Sequence, residues 1–194
     1  MVSLNIWLGG MLFDAALDFL KKENPDILDV QEVYNGKAPN LEKRFCTFDV
    51  LKSELKYSYA SFAPAYIENM KEGMIEWGNA IFSRLPIIAE KTVFYDVPFS
   101  SDFVTPIPDG SYHPRNLQQA VLEIENNELN VFNTHGIWGF DGKDNDRRWQ
   151  MGKIIVQEIK DKENVILTGD FNISPKTKTI AGIEKHLKNV FKNE

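Results

Sequence analysis

The chain has 194 residues, of which 43% are hydrophobic and 12% aromatic, enough for a hydrophobic core and too apolar for a disordered chain. It carries 22 Lys and Arg against 28 Asp and Glu, and the formal net charge of -6 argues against the broad basic surface of a general nucleic-acid binder. The single cysteine, Cys46, excludes an internal disulfide and a zinc site built from paired cysteines.

The N-terminal segment is apolar but lacks the features of an export signal. No Lys or Arg precedes the apolar run, and Asp14 and Asp18 interrupt it. No stretch approaches the roughly 18 to 20 uninterrupted apolar residues of a membrane-spanning helix. These features predict a cytoplasmic protein with no stable membrane insertion.

Hydrophobic periodicity predicts a strand, a helix and a second strand at the start of the chain. Alternating apolar residues indicate a strand over 2–8, and the spacing from Phe13 to Leu20 indicates a helix that Pro25 ends. The compact apolar run 26–32 indicates the next strand. A short helical connection of this kind suits a right-handed crossover between parallel strands.

The rest of the chain continues as mixed α/β structure. Strands are predicted over 57–62, 79–83, 87–95, 117–125, 128–134 and 164–168. Helices are predicted over 48–55, 146–160 and 180–191, and the proline-rich stretch 96–114 predicts a long loop. Asn126 and Asn127 predict a hairpin turn, because Asn tolerates positive φ. No repeat or linker interrupts the pattern, so residues 1–194 are predicted to form a single α/β domain.

Five polar side chains lie in or just after predicted strands, where α/β sheets usually place their sites. They are Asn5, Glu32, His135, Asp170 and Asn172. Carboxylates, amides and one imidazole suit Mg²⁺ or Mn²⁺ better than zinc, and such a site can stabilise phosphoryl transfer. Taken singly, each residue could also have a purely structural role, as an exposed carboxylate, a buried histidine with its hydrogen bonds made, or an asparagine in a turn.

The order of the motifs adds a family resemblance. The chain has DVQE ending at Glu32, WGNAIFSRLP at 77–86, NTHG at 133–136 and GDFN at 169–172. This ordered set resembles the endonuclease/exonuclease/phosphatase superfamily of the deoxyribonuclease I type, from residue 2 to about residue 175. The stretch 133–150 is similar to that of small bacterial members. The resemblance implies a four-layer α/β sandwich, two packed mixed β-sheets with helices on the outer faces.

The resemblance also implies a role for each of the five side chains. Glu32 would be the main metal carboxylate, and Asn5 would support the metal or its water. His135 would donate to the phosphate and stabilise the transition state. Asp170 would orient or help activate the attacking water, while Asn172 would hold a phosphate oxygen. The implied activity is hydrolysis of a phosphodiester or phosphomonoester by in-line attack of water, with Mg²⁺ or Mn²⁺ as cofactor.

The C-terminal part of the sequence departs from the family pattern. Family members carry a further aspartate and a Ser-Asp-His motif, which supplies the general base, whereas only a predicted helix containing His186 follows Asn172. We therefore expect a fragment that lacks the last strands and has weak or no activity. The alternative is a noncatalytic binding or scaffold domain that has lost the general-base histidine.

The sequence leaves the substrate open among nucleic acids, small phosphorylated molecules and phospholipid headgroups. A nuclease would use a local basic strip, for which the candidates are Arg115, Lys143, Arg147 and Arg148. A lipid phosphoesterase would expose an aromatic loop, for which the candidates are Phe99, Phe103 and Tyr112. Trp138 and Phe140 are predicted either as core aromatics or as part of a loop that faces the substrate.

Overall fold

The structure, a computed structural model, describes residues 1–103 and 112–191. One sheet contains β1 (Val2–Asn5), β2 (Ile27–Gly36), β3 (Tyr59–Met70) and β4 (Gly73–Ser83) in the order β1-β2-β4-β3. The other contains β5 (Ile87–Phe94), β6 (Asn116–Ile124), β7 (Asn127–His135) and β8 (Val165–Asp170) in chain order. The helices are α1 (Phe13–Glu23), α2 (Thr47–Glu54), α3 (Asp146–Ile159) and α4 (Lys178–Ile183).

The two sheets face each other, and each is covered by helices on its outer face. Leu17 and Leu20 of α1 pack with Leu28 and Phe82 of the first sheet, because the apolar stripe of the helix recurs every three to four residues. In the same way α3 and α4 cover the second sheet, where Met151 and other apolar side chains pack on β6 and β7. This arrangement is the four-layer sandwich expected from the family resemblance, and the prediction of the fold is confirmed.

The parallel strands β1 and β2 flank α1, as the sequence predicts, but β1 is shorter than predicted. It ends at Asn5 because the backbone of Trp7 and Leu8 has positive φ values, 56° and 49°, which extended strands do not adopt. In the second sheet, Ile124 pairs with Asn127, so Glu125 and Asn126 form the hairpin turn, one residue before the predicted pair.

The hairpin of β3 and β4 extends well beyond the predicted strands 57–62 and 79–83. A register shift between Pro64 and Tyr66 breaks the alternation of apolar residues on which the prediction depended. The last helix, α4, ends at Ile183 rather than near residue 191. Of the predicted loop 96–114, residues 104–111 lie outside the described residues. No helix in the described ranges is long and apolar enough to cross a membrane.

The layer between the two sheets is apolar at one end and polar toward the other. Ile27, Ile81 and Val131 pack together at the apolar end. Farther along the strands, the buried Gln31 Nε2 donates to Asn133 Oδ1 at 2.7 Å. Asn133 Nδ2 donates to the carbonyl oxygens of Val30 and Ala80 at 3.1 and 3.0 Å. Because these bonds connect opposite sheets, they fix the position of the β7 end over the bulge of β2, where the register shifts between Val30 and Val33.

Candidate active site

Four of the five predicted site residues meet where β1, β7 and β8 end over an irregular point of β2. Asn5, His135 and Asp170 are the last residues of their strands, and His135 is paired with Asp170 across the parallel β7 and β8. Glu32 lies where the register of β2 shifts between Val30 and Val33. Parallel strands end at the same sheet edge, so their terminal side chains converge.

Glu32 has a left-handed backbone, with a φ of 60°. A non-glycine residue in this conformation costs on the order of 1 to 3 kcal/mol, and such outliers concentrate at functional sites. The bulge turns the carboxylate out of the sheet, where Oε2 accepts a hydrogen bond from the Leu8 N–H at 2.6 Å. Oε1 accepts from the Asn5 amide Nδ2 at 3.1 Å. The carboxylate is therefore held in one orientation by the segment that follows β1.

The Asn5 amide joins two carboxylates. The same Nδ2 that donates to Glu32 also donates to Asp170 Oδ2 at 3.0 Å. Its Oδ1 accepts from the Trp7 N–H at 2.9 Å, which fixes the orientation of the amide. Asp170 Oδ1 accepts from the backbone N–H of Asn172 at 2.9 Å. Two carboxylates thus lie on either side of one neutral amide.

Asn172, two residues beyond β8, is also brought to this place. Its backbone is left-handed, with a φ of 53°, and its Nδ2 donates to the carbonyl of Gly136 at 3.1 Å. One of its two amide hydrogens is therefore used to fasten the loop after His135. A side chain at Gly136 would place a Cβ 2.1 Å from the carbonyl oxygen of Phe171, so only glycine allows the two loops to approach.

His135 is buried, with 2% of its surface exposed, and its Nε2 lies 3.7 Å from Glu32 Oε1. Burial lowers the pKa of His135 well below its ordinary value, and the positive charge of Arg115 lowers that pKa further. The imidazole is therefore neutral at neutral pH. Arg115 Nη1 lies 2.7 Å from Nδ1 and 3.0 Å from Nε2. A neutral ring accepts at one of these nitrogens and carries its single proton on the other, and Nε2 is the nitrogen that lies near Glu32.

Arg115 is a site residue that the sequence reasoning placed elsewhere. It is 7% exposed, and its guanidinium carbon lies 4.8 Å from the centroid of the Trp77 ring. Burial lowers the pKa of Arg115 to about 10, so the group is still a cation at neutral pH. Its Nε has no hydrogen-bond partner within the described ranges. Arg115 directly follows a proline at the start of β6, and only the packing of that segment on Trp77 reveals its position.

The four candidates for a basic strip do not form one exposed surface. Arg148 is fully buried and donates to the carbonyl oxygens of Ile137, Gly139 and Asn172 at 2.9 to 3.2 Å. Arg147 pairs with Asp96 and lies 4.3 Å from the Tyr112 ring centroid. Arg115 is buried beside His135, and only Lys143 is largely exposed. These four residues therefore do not form the basic strip that a nuclease would use.

Of the three candidates for an exposed aromatic loop, Phe103 is packed and the other two are exposed. Phe103 packs on Tyr66, with ring centroids 5.1 Å apart, and so belongs to the core under β3 and β4. Tyr112 is 38% exposed, and its ring contacts the Arg147 guanidinium. Phe99 is 41% exposed. Trp138 and Phe140 belong to the loop after His135 and contact each other, with ring centroids 5.8 Å apart.

All three histidines of the chain are in the described ranges, and only His135 contacts the carboxylates. His113 packs among the rings of Tyr66, Trp77 and Phe103. His186 lines a groove between α3 and α4, on the outer face of the second sheet. The chain therefore offers one imidazole at the site, and Arg115 contacts both of its nitrogens.

The oxygen atoms at the site fit a hard divalent cation. Among the described residues no group of three or more His, Cys, Asp or Glu side chains is arranged to hold a metal ion. The Glu32 and Asp170 carboxylates, however, both accept from the neutral Asn5 amide, and Arg115 contacts the His135 ring beside them. Mg²⁺ typically uses one or two carboxylates and keeps several waters, so Glu32 and Asp170 suffice chemically, with the Asn5 amide supporting both.

Comparison with known proteins places these observations in a family. The chain is similar to the structure of an endonuclease/exonuclease/phosphatase from Beutenbergia cavernae, with 17% identity and a TM-score of 0.67 over 89% of this chain and 47% of that one. It is similar to a mannosyl-6-phosphatase of Bacteroides thetaiotaomicron, with 16% identity and a TM-score of 0.59 over 88% of this chain and 60% of that one. It is also similar to sphingomyelinase C of Streptomyces griseocarneus, with 16% identity and a TM-score of 0.58 over 95% of this chain and 68% of that one.

The chain spans about half the length of the Beutenbergia protein. No curated protein sequence matches it significantly. The model of one protein family, however, matches residues 2–189, nearly the whole chain. The chain belongs to the endonuclease/exonuclease/phosphatase family, a group of phosphoesterases.

Proposed function

We propose that this chain hydrolyses a phosphodiester or phosphomonoester with a divalent cation, Mg²⁺ or Mn²⁺, held by Glu32 and Asn5 with Asp170 beside them. The observation that carries the proposal is the Asn5 amide, which joins the Glu32 and Asp170 carboxylates at 3.1 and 3.0 Å. Two carboxylates that converge on one amide offer the oxygen ligands that a hard divalent cation prefers.

The side chains around the carboxylates can each contribute to phosphoryl transfer. Negative charge accumulates on the phosphate oxygens in the transition state, and preorganised donors stabilise it. His135 offers its single ring proton, and Asn172 offers the amide hydrogen that Gly136 does not use. Asp170 offers a carboxylate oxygen that can orient the attacking water. When bound, the cation would supply polarisation of a phosphate oxygen.

Arg115 adds a positive charge that water does not screen. Arg115 contacts both ring nitrogens of His135 and so holds the orientation of the imidazole beside Glu32. Arg115 is therefore proposed as a positioning residue for His135. Its own charge also lowers the electrostatic cost of bringing an anionic phosphate next to two carboxylates.

Two observations favour a small or lipid-borne ester over a polynucleotide. The net charge is -6, and only Lys143 among the four candidates for a basic strip is largely exposed, which leaves few cations for a phosphate backbone. Two of the similar structures are, by their names, a mannosyl-6-phosphatase and a sphingomyelinase C. We therefore propose a non-nucleic substrate for this site.

The alternative function is a noncatalytic binding domain that keeps the cation site. The specific observation in its favour is that His135 is the one histidine at the site and is already fastened to Arg115. General-base catalysis contributes on the order of a hundred- to ten-thousandfold, so its loss slows the reaction without removing the cation site.

The proposal is tested by hydrolysis of bis(p-nitrophenyl) phosphate and p-nitrophenyl phosphate with Mg²⁺, Mn²⁺ or a chelator. Glu32→Gln is expected to lower the metal-dependent rate by about a hundredfold or more. Glu76→Gln is the matched control, because Glu76 is also a half-buried carboxylate of the first sheet that accepts one amide hydrogen bond, from Asn35 at 2.7 Å. Hydrolysis that is indifferent to the chelator would reject the proposal. Metal-dependent thermal stabilisation without turnover would favour the alternative.

A further inference from the structure

Two loops that begin at the candidate site display large apolar side chains to solvent. The first follows Asn5 and comprises residues 7–12, and the second follows His135 and comprises residues 137–140. The exposed side chains are Trp7, Leu8, Met11, Leu12, Trp138 and Phe140. Leu12 is 70% exposed and Phe140 80% exposed, which is unusual for side chains that gain about 1.5 to 3 kcal/mol from full burial. Exposed apolar patches of this kind typically mark interaction sites.

The backbone of the first loop is fastened, so the exposure of its side chains is built into the structure. The Leu8 N–H donates to the Glu32 carboxylate at 2.6 Å, and the Gly9 N–H donates to the Glu32 carbonyl at 2.8 Å. The Gly10 and Met11 N–H groups both donate to the Trp7 carbonyl at 2.9 Å. Trp7 and Leu8 are left-handed, an unfavourable conformation for residues with a Cβ. The fold holds these two apolar side chains outward at a conformational cost.

The second loop is fastened by a buried cation. The Arg148 guanidinium donates to the carbonyl oxygens of Ile137 and Gly139 at 3.2 and 3.0 Å, on either side of Trp138. Ile137 points into the core and is 1% exposed, whereas Trp138 and Phe140 remain at the surface. Both loops therefore present apolar side chains from rigid supports at the rim of one site.

We propose that these two loops dock the site on a phospholipid surface, so that the phosphate ester is taken from a lipid headgroup. This inference rests on the proposed function and names its substrate class. Trp is favoured at boundaries between apolar and aqueous phases, and Leu and Met gain by entering the acyl region. A surface that binds nucleobases by stacking would instead use aromatic rings and Arg. Because three of the six exposed side chains are aliphatic, the surface suits acyl chains better than bases.

The charge beside the first loop suits a phosphate-rich surface. Thr47 Oγ1 contacts the carbonyl oxygens of both Gly9 and Arg44, at 2.6 and 2.7 Å, so the segment containing Lys43 and Arg44 borders the loop. Arg44 Nη1 contacts Met11 Sδ at 2.9 Å, and Lys43 is exposed. Apolar side chains flanked by cations are typical of surfaces that bind the lipid interface without crossing it.

The test is co-sedimentation of the chain with vesicles of equimolar phosphatidylcholine and phosphatidylglycerol, without a divalent cation. The double variant Leu12→Ser, Phe140→Ser is expected to lower the partition coefficient by about a hundredfold, at about tenfold for each side chain. Leu12 is the N-cap of α1 and makes no side-chain capping bond, whereas Ser is a favoured N-cap, so this variant keeps the fold. The matched control is Met74→Ser, Ile88→Thr, at two exposed apolar positions on β4 and β5.

Vesicle binding by the wild-type chain and the control, but not by the Leu12→Ser, Phe140→Ser variant, supports the inference. No vesicle binding, or equal binding by all three chains, overturns it. Binding of a single-stranded oligonucleotide that is lost in Trp7→Ala, with no vesicle binding, also overturns it in favour of base stacking. Vesicle binding without hydrolysis of any ester keeps the docking surface and rejects the proposed function. Hydrolysis of nitrophenyl esters without vesicle binding keeps the proposed function and rejects the docking surface.

Discussion

Arg115 and His135 are a buried cation and a buried imidazole in direct contact, and their contact controls the protonation of the site. The guanidinium keeps its charge because its pKa is lowered only to about 10. The imidazole stays neutral because burial and that charge both oppose a second proton on the ring. The ring therefore keeps one donor and one acceptor over the physiological pH range, whereas an ordinary histidine near its pKa is partly a cation with two donors.

Replacing Arg115 by Met should raise the pKa of His135, because a nearby positive charge is removed while the ring stays buried. The pKa is expected to remain below the ordinary value, since burial is the larger cause. Titration of the histidine ring resonances by NMR measures the change, with Arg147→Met as a control at an arginine that pairs with Asp96. An unchanged His135 titration in Arg115→Met would show that the contact does not set its protonation.

Asp29 is another buried ionisable group, and it lies on β2, the strand that carries Glu32. It is 0% exposed, Thr168 Oγ1 donates to its Oδ2 at 2.5 Å, and its Oδ1 lacks a partner in the described part of the chain. Burial raises the pKa of Asp29 from 3.8 to about 7. The folded state therefore binds a proton that the unfolded state has released between these two pH values.

The free energy of unfolding should consequently fall as the pH rises from about 4 to about 7 and then level off, as far as Asp29 contributes. The contribution is roughly 4 kcal/mol at 1.36 kcal/mol per pKa unit. Urea unfolding at pH 5 and pH 8 should show a smaller difference for Asp29→Asn than for the wild type. Asp26→Asn, at an exposed carboxylate in the same strand region, serves as the control. An equal pH difference in all three chains contradicts this account.

Among the larger elements, the loop after β7 depends on α3 for its shape. Arg148 lies one turn into α3, and its guanidinium reaches carbonyl oxygens before and after the Trp138 segment and on the loop after β8. The N-cap of this helix is Asn145, whose side chain accepts from the Arg148 N–H at 2.9 Å. The cap that starts the helix and the side chain that fastens the loop therefore belong to one local structure.

Arg148→Lys should lower the free energy of unfolding by about 3 kcal/mol or more, because an ammonium group cannot satisfy all of these buried carbonyl oxygens. The neighbouring Arg147→Lys should cost about 1 kcal/mol or less, since Arg147 makes a partly exposed ion pair with Asp96. Chemical denaturation of the two variants gives this difference directly. Equal costs would mean that the guanidinium bonds do not stabilise the loop.

The elements that the sequence predicts well are those with uninterrupted periodicity. The helix with Leu17 and Leu20 and the hairpin around Asn126 are found where the apolar spacing indicates them. The strands around Pro64 are missed because a bulge shifts the alternation to the other face. The early end of β1 is missed because nothing in the residue type of Trp7 indicates a left-handed backbone.

At the scale of the whole molecule, the position of the site depends on the polar bonds between the sheets. Asn133 contacts Gln31, Val30 and Ala80 from the opposite sheet, next to the bulge that carries Glu32. Asn133→Leu should lower the free energy of unfolding by about 3 kcal/mol or more, because buried donors and acceptors lose their partners. Asn127→Leu, at an exposed position of the same strand, should be nearly neutral. Thermal or urea unfolding distinguishes the two, and equal effects would contradict this reasoning.

The same packing explains which parts of the site the sequence predicts. Asn5, Glu32, His135 and Asp170 are predicted because each lies in or just after a predicted strand and fits the ordered family pattern, and the structure brings their side chains into contact. Arg115 is not assigned to the site, because its place depends on Trp77 from the other sheet. A contact between residues of different sheets produces no periodic pattern in the sequence.

The central claim is that Glu32, with Asn5 and Asp170, holds a divalent cation, and titration with Mn²⁺ followed by water proton relaxation tests it most directly. The wild type and Glu76→Gln should bind Mn²⁺ saturably, Mg²⁺ should displace it, and Glu32→Gln should lose the binding. Unfolding of each variant shows that the fold is intact. Saturable binding of equal affinity in the wild type and in Glu32→Gln would contradict the account.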